Sequence, residues 1–156
     1  MRLSGYTDYS LRVLMCCSHQ RDQLLTIAEI AQALQVSKNH LMKVVNDLAR
    51  QGILETTRGR GGGIRLLKTP EDIRVGDVLR ASETDFRLVE CFDSASDTCT
   101  LTPVCRLKDV LHRALRAYFS ELDAVTLADI TRPARRAHAP PNAPTVMPPR
   151  ARRSAV

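Results

Sequence analysis

Cys91, Cys99 and Cys105, with seven and then five residues between them, are the side chains of this 156-residue sequence best suited to chemistry. Thiolates are soft donors that suit iron-sulfur clusters, copper(I) or zinc. Structural zinc normally uses cysteine pairs two to four residues apart with a fourth protein ligand nearby, and neither is present, so zinc is the weaker choice. Three thiolates leave one iron of a cluster in need of a ligand that is not cysteine or that comes from elsewhere. The segment holding Cys91 and Cys99 has no sustained periodicity, so it can wrap an inorganic group. Cys105 falls at the start of a long amphipathic stretch, where a helix dipole favours thiolate.

The other candidate groups have plainer readings. Cys16 and Cys17 sit in a helical stretch, where small thiols are usually buried apolar residues. His112, seven residues after Cys105, is read as a solvated helix residue, because no nucleophile with an orienting acid surrounds it and nothing else suggests an enzyme. Five cysteines is an odd number. With no signal-peptide start and no apolar run long enough to span a bilayer, a cytoplasmic location is expected, where spacing is read for metal ligation rather than for disulfides.

Charge adds a location for a partner. The formal charge of +6 belongs to the end of the chain: residues 132–156 hold six Arg and no acid, leaving 17 basic and 17 acidic residues before them. Within that neutral part, Ser37 to Lys68 carries seven basic and two acidic residues, whereas Glu71 to Asp109 carries five basic and nine acidic. The basic stretch is where a phosphate backbone would sit. Three Tyr, three Phe and no Trp argue against a single-strand binder that stacks bases on rings.

The elements that must position these groups follow from periodicity and capping. Tyr6 to His19 is expected as a first helix, with Tyr9, Leu11, Leu14 and Met15 on its apolar face. Thr26 caps a second helix to about Leu34, with Glu29 completing a capping box. Ser37 caps a third, in which Leu41, Val44, Val45 and Leu48 form a buried stripe that ends before Gly52. Ile53 to Thr57 and Ile64 to Leu67 are two short strands around Arg58-Gly59-Arg60-Gly61-Gly62-Gly63, whose glycines allow a tight turn. Val75 to Glu83 is a fourth helix. From Val104 to Ala124, Val104, Leu107, Leu111, Leu115, Tyr118, Phe119 and Leu122 mark a helix too long for so small a domain to cover. The Arg- and Pro-rich residues 132–156 are expected to be disordered.

Two helices joined by Gln35-Val36, the second capped by Ser37, form a helix-turn-helix. Ala28 and Ala31 are small enough for close helix contact there. Lys38, Asn39, His40 and Lys43 then point outward, able to reach base edges and phosphates in the major groove, with His40 assigned to either. Arg58 and Arg60 at the hairpin tip reach the adjacent minor groove. The fold expected is mainly α with a small β-hairpin wing: a winged helix-turn-helix over 1–83, a cluster-binding loop over 84–103, a dimerisation helix with a short extension over 104–131, and the tail.

The start Met1 to Arg12, the run Asn39 to Val45, the wing Arg58 to Gly63, Leu88 to Phe92 and Thr126 to Ile130 together resemble the nitric-oxide-sensing repressors among the iron-sulfur winged-helix regulators. The resemblance covers Met1 to Thr131. It implies a homodimer joined through the long helices, bound to a near-palindromic double-stranded operator with one recognition helix per half-site. It also implies a cluster, 4Fe-4S or else 2Fe-2S, on Cys91, Cys99 and Cys105, with Asp8 of the partner subunit as the remaining ligand. A hard oxygen ligand on a soft cluster is labile and leaves an iron open to nitric oxide. Iron-responsive relatives share the seven-and-five spacing; Asp8 and Leu88 to Phe92 favour nitric oxide. The rival reading is a metal-free thiol switch in which the three cysteines form disulfides under oxidants. Protein purified without oxygen should be brown, with broad visible absorption; a colourless preparation is the outcome the thiol switch requires.

Overall fold

In the computed structural model, which describes residues 2–132, Ser4 opens the first helix by accepting the amide of Thr7 at 3.2 Å. That helix, α1 (Gly5–His19), buries Thr7, Ser10, Val13, Leu14 and Cys17 against the rest of the chain. The buried face is therefore rotated from the one that apolar residues alone suggest: Tyr9, Leu11 and Met15 are only partly buried. Two hydroxyls replace apolar side chains because each has a partner, Ser10 Oγ donating to the Tyr6 carbonyl at 2.8 Å and Thr7 Oγ1 donating to Ser82 Oγ at 2.9 Å.

Thr26 caps α2 (Ile27–Leu34) in the expected box: its hydroxyl accepts from the Glu29 amide at 3.2 Å and its amide donates to Glu29 at 2.8 Å. The connector turns at Gln35, whose φ of 55° is left-handed, and the Val36 amide donates to Ala31 at 3.0 Å. Ser37 caps α3 (Lys38–Arg50), which buries Leu41, Val44, Val45 and Leu48, the stripe read from the sequence. Ala31 is buried at the helix pair, but Ala28 is exposed, because α2 turns that side to solvent.

Strands β1 (Leu54–Thr57) and β2 (Gly63–Leu66) pair antiparallel, Leu54 opposite Leu66 and Thr57 opposite Gly63. Gly59 and Gly61, at φ of 97° and 74°, supply the conformation that side chains resist. Leu25 bridges to Ile64, tying the wing's inner strand to the segment before α2. A 3₁₀ turn at Pro70–Asp72 leads into α4 (Val75–Ser82).

After α4 the chain holds two further 3₁₀ turns, Glu90–Phe92 and Thr102–Val104, then α5 (Arg106–Ala124). The long helix starts later than its apolar pattern suggests, since Pro103 sits in the 3₁₀ turn and Cys105 is extended, with ψ 104°. No residue of α5 is fully buried; Leu101, Val104, Leu107 and Val110 are 64, 80, 61 and 46% exposed. The short extension is a helix of its own, α6 (Leu127–Thr131), with a Thr126/Asp129 capping box. It folds back on α1, where Ser18 and Thr131 hydroxyls meet at 2.8 Å and Leu127 is 1% exposed. The sequence expectation for residues 133–156 lies outside the described residues. Among the described residues no helix is long and apolar enough to cross a membrane.

One core joins α1, α2, α3, the hairpin and α6, with Leu14, Leu41 and Leu127 at its centre. Leu127→Ala should lower unfolding free energy by about 2–5 kcal/mol, the range for emptying a buried leucine site. Urea denaturation with both ends of the transition resolved checks this; a loss under half a kcal/mol would mean that α6 is not part of the core.

Candidate nucleic-acid interface and cysteine loop

Capping by Ser37 fixes where α3 begins, and the residues of its first two turns that are not in the buried stripe face solvent. Ser37, Lys38, Asn39, His40 and Lys43 are all exposed, as the sequence predicts. Met42, 49% exposed, and Asn46 share this outer surface, three and seven residues after Asn39. Their helical spacing from Asn39 was the available signal for including them. Beyond Asn46, a cleft of about 370 Å³ runs between Thr26 at the start of α2 and Arg58 and Gly59 on the wing.

Two tyrosines of α1 brace this helix, and neither is in the sequence-derived site. The Tyr6 phenol donates to Asp47 at 2.8 Å while Lys43 lies 5.7 Å above its ring. The Tyr9 ring stacks with His40, centroids 6.3 Å apart. Burial and then the Asp47 carboxylate push the Tyr6 phenol up to about 12. On the wing, Arg65 pairs across the strands with Glu55 at 2.8 Å, whereas Arg58 and Arg60 at the exposed tip enter no ion pair among the described residues. Recognition helix and wing thus present a contiguous set of donors and cations on one side of the fold.

The cysteines lie elsewhere. Cys91 is in the Glu90–Phe92 turn and 9% exposed; Cys99 and Cys105 are half-buried, and all five thiols are free. Asp97 organises the Cys99 segment, accepting the Cys99 amide at 3.0 Å and the Thr102 hydroxyl at 3.1 Å. Cys105 is the residue immediately before α5. Asp8, in the first turn of α1, holds Arg12 one turn on, at 3.0 and 2.9 Å, and its side chain is 42% exposed. Among the described residues no three His, Cys, Asp or Glu side chains converge on a point that could hold a metal ion, so a single chain does not bring Asp8 and the three thiols together. Three soft donors on an irregular loop nevertheless fit an iron-sulfur group in kind.

Arg87 closes the start of this loop, binding Asp85 at 2.9 Å and Asp93 at 2.6 Å. The Asp93 carboxyl is held below its ordinary value first by the Ala95 amide, then by Ser96 and Arg87. Against the sequence expectation of a solvated residue, His112 is partly buried and stacked on Phe92 with centroids 3.9 Å apart. Of the two α1 cysteines, Cys17 is 1% exposed as expected, while Cys16 is only half-buried.

A Ser-capped recognition helix, a left-handed turn before it and a cationic two-stranded wing define a winged helix-turn-helix DNA-binding regulator. A family model described as Rrf2, iron-dependent transcriptional regulator, matches residues 3–133, and the chain belongs to that family. It is 52% identical over 133 residues to the HTH-type transcriptional regulator NsrR of Bacillus subtilis, covering 85% of this chain and 91% of that protein. It is also 52% identical over 131 residues to NsrR of Bacillus licheniformis, covering 83% and 92%. Among solved structures the fold is similar to T. potens IscR, with TM-score 0.67 and 22% identity over 83% of this chain and 85% of that one. B. subtilis CymR, the global cysteine regulator, gives 0.68 and 23% over 84% and 96%. The chain is a transcriptional regulator, as these relatives are, and not an enzyme.

Burial raises the Cys17 thiol from 9.0 to about 12, so in the fold it stays neutral where an unfolded chain would ionise. A raised value stabilises the fold fully below the unfolded pKa and is lost as pH climbs through the folded one. Stability should therefore decline from about pH 9 towards 12, with Tyr6 adding to the upper part of that window. Melting curves across this range should flatten in Cys17→Ala; an identical alkaline slope in the variant would remove Cys17 as a cause.

Proposed function

We propose that this chain is a homodimeric repressor that carries an iron-sulfur cluster and releases its operator when nitric oxide reaches that cluster. The ligands would be Cys91, Cys99 and Cys105 of one protomer and Asp8 of its partner, and three thiolates plus one carboxylate suit a 4Fe-4S group. A bound cluster supplies iron that reacts with nitric oxide. Everything else falls to the chain's own residues.

The observation that carries this reading is the position of α1. At its first turn it holds Asp8, half-buried and oriented by Arg12; at the same end Tyr6 and Tyr9 grip the recognition helix through Asp47, Lys43 and His40. Whatever fixes the Asp8 carboxylate therefore constrains the element that meets DNA. Packed on α4, α5 offers Leu107 and Val110 to solvent along a face that a second copy of α5 would cover. Two protomers joined there set the spacing of two recognition helices, which a near-palindromic operator demands. Nitric oxide as the signal rests on the resemblance noted from Asp8 and Leu88 to Phe92, and on the identity with NsrR proteins.

On DNA, Lys38, Asn39, His40 and Lys43 would meet base edges and phosphates, with the Ser37 cap at the same helix end, and Arg58 and Arg60 would enter the minor groove. Arg58→Ala with Arg60→Ala should weaken binding to operator and unrelated DNA alike. The salt dependence of log affinity should become shallower by about 0.9 per lost phosphate contact. Cluster-loaded protein should bind operator roughly ten- to a hundredfold more tightly than stripped or nitric-oxide-treated protein, a typical allosteric range. Equal affinity in all three states, measured anaerobically by fluorescence anisotropy, would reject the sensing role and leave a plain DNA-binding protein.

A further inference from the structure

We propose that His112 and Phe92 form an anchor that pins the Cys91 turn to α5, making Cys91 the fixed and shielded thiol of the three. The rings are nearly parallel, 6° apart in plane, with centroids 3.9 Å apart. Phe92 adjoins Cys91 within the turn Glu90–Phe92, so the stack acts directly on the backbone that carries the sulfur.

A second rung supports the first. Phe86 meets Phe119 edge to face at 4.8 Å, and Arg80 lies 4.5 Å from the same ring while binding Asp123 at 2.6 Å. His112 and Phe119 are seven residues apart, about two turns, so both rungs stand on one side of α5 roughly 10 Å from each other. Between them Arg87 joins Asp85 to Asp93 and closes the intervening segment upon itself. Residues 86–92 are thereby fastened at both ends to a helix that has no fully buried residue of its own. Past Asp93 the arrangement changes: Cys99 and Cys105 sit among local turn hydrogen bonds, no aromatic rung among the described residues carries them, and both are more exposed than Cys91.

The consequence is a division of labour. Cys91 is held in place before any inorganic group arrives, and Cys99 and Cys105 are the thiols that a reagent or an iron source meets first. Its bearing on cluster assembly rests on the function proposed above, whereas the anchor itself does not.

The test uses the full chain, stripped of metal and kept reduced, pulsed with N-ethylmaleimide and read peptide by peptide by mass spectrometry. Cys91 should label most slowly of the three loop cysteines. His112→Ala should speed Cys91 about five- to tenfold, the size of effect a lost ring stack produces, with Cys99 and Cys105 unchanged. His112→Phe, which keeps a flat ring, should restore the native rate. Cys17, 1% exposed, is the internal gauge of folding. Should it also label in His112→Ala, the comparison passes to Phe92→Leu, which removes the other ring. An unchanged Cys91 rate in a folded variant, or equal acceleration at all three loop cysteines, overturns the anchor. Neither result depends on iron uptake or on nitric oxide, so the anchor and the sensing role can fail separately.

Discussion

The packing of α1 is the constraint from which the rest follows. Its inner face is sealed by Thr7, Ser10, Val13, Leu14 and Cys17, each 1% exposed or less, and it touches α2, α3, α4, α6 and β2. Two hydroxyls in such a face are tolerated only because each is satisfied: Ser10 donates within the helix to the Tyr6 carbonyl, whereas Thr7 donates to Ser82, and Ser82 to the Val78 carbonyl at 2.7 Å. A buried hydroxyl left without a partner costs on the order of 1–3 kcal/mol, so this relay locks the start of α1 to the end of α4. The Ser4 amide, donating to Glu83 at 2.6 Å, adds a second tie at the same place. The helix cannot shift without disturbing either the reading helix on one side or α4 and the long helix beyond it on the other.

This geometry keeps the two proposed chemistries apart. Cations and amide donors collect on α3 and the wing, the face proposed to meet phosphates, while the cysteine loop carries an excess of acids that would repel DNA there. Arg80, Arg87 and Arg12 do not add to the DNA face; each is engaged by a neighbouring carboxylate. Such exposed pairs contribute little stability, and their role here is orientation. The apolar edge of α5 is the counterpart: Leu107 and Val110 stay exposed within one chain, and in the function proposed above a second protomer covers them.

Much of the DNA-reading half was legible in the sequence, because it is built from local rules. Thr26 with Glu29, Ser37 before Leu41, and the glycines around Arg58 and Arg60 each specify their structure within a few residues. What was not legible depends on distant partners. Thr7 and Ser10 read as polar and prove buried, because Ser82 lies 75 residues from Thr7 in the chain. Ala28 reads as a contact and is exposed, since a small side chain permits close packing without requiring it. His112 reads as solvated because its partner, Phe92, lies on a different element. α6 reads from the sequence only as a short extension, because five residues are too few for periodicity to reveal a helix. The cysteine triad was recognisable by spacing and resemblance, yet one chain leaves its thiols apart.

Mixed dimers decide whether the proposed cluster site is completed across two protomers. Chains carrying Asp8→Ala and chains carrying Cys99→Ala are combined, and operator affinity is compared with and without loaded cluster. If Asp8 acts on its partner's thiols, each mixed dimer keeps one complete site and regains cluster-dependent binding that both parent homodimers lack. If mixed dimers behave like their parents, the carboxylate does not serve the opposite subunit and the account is contradicted.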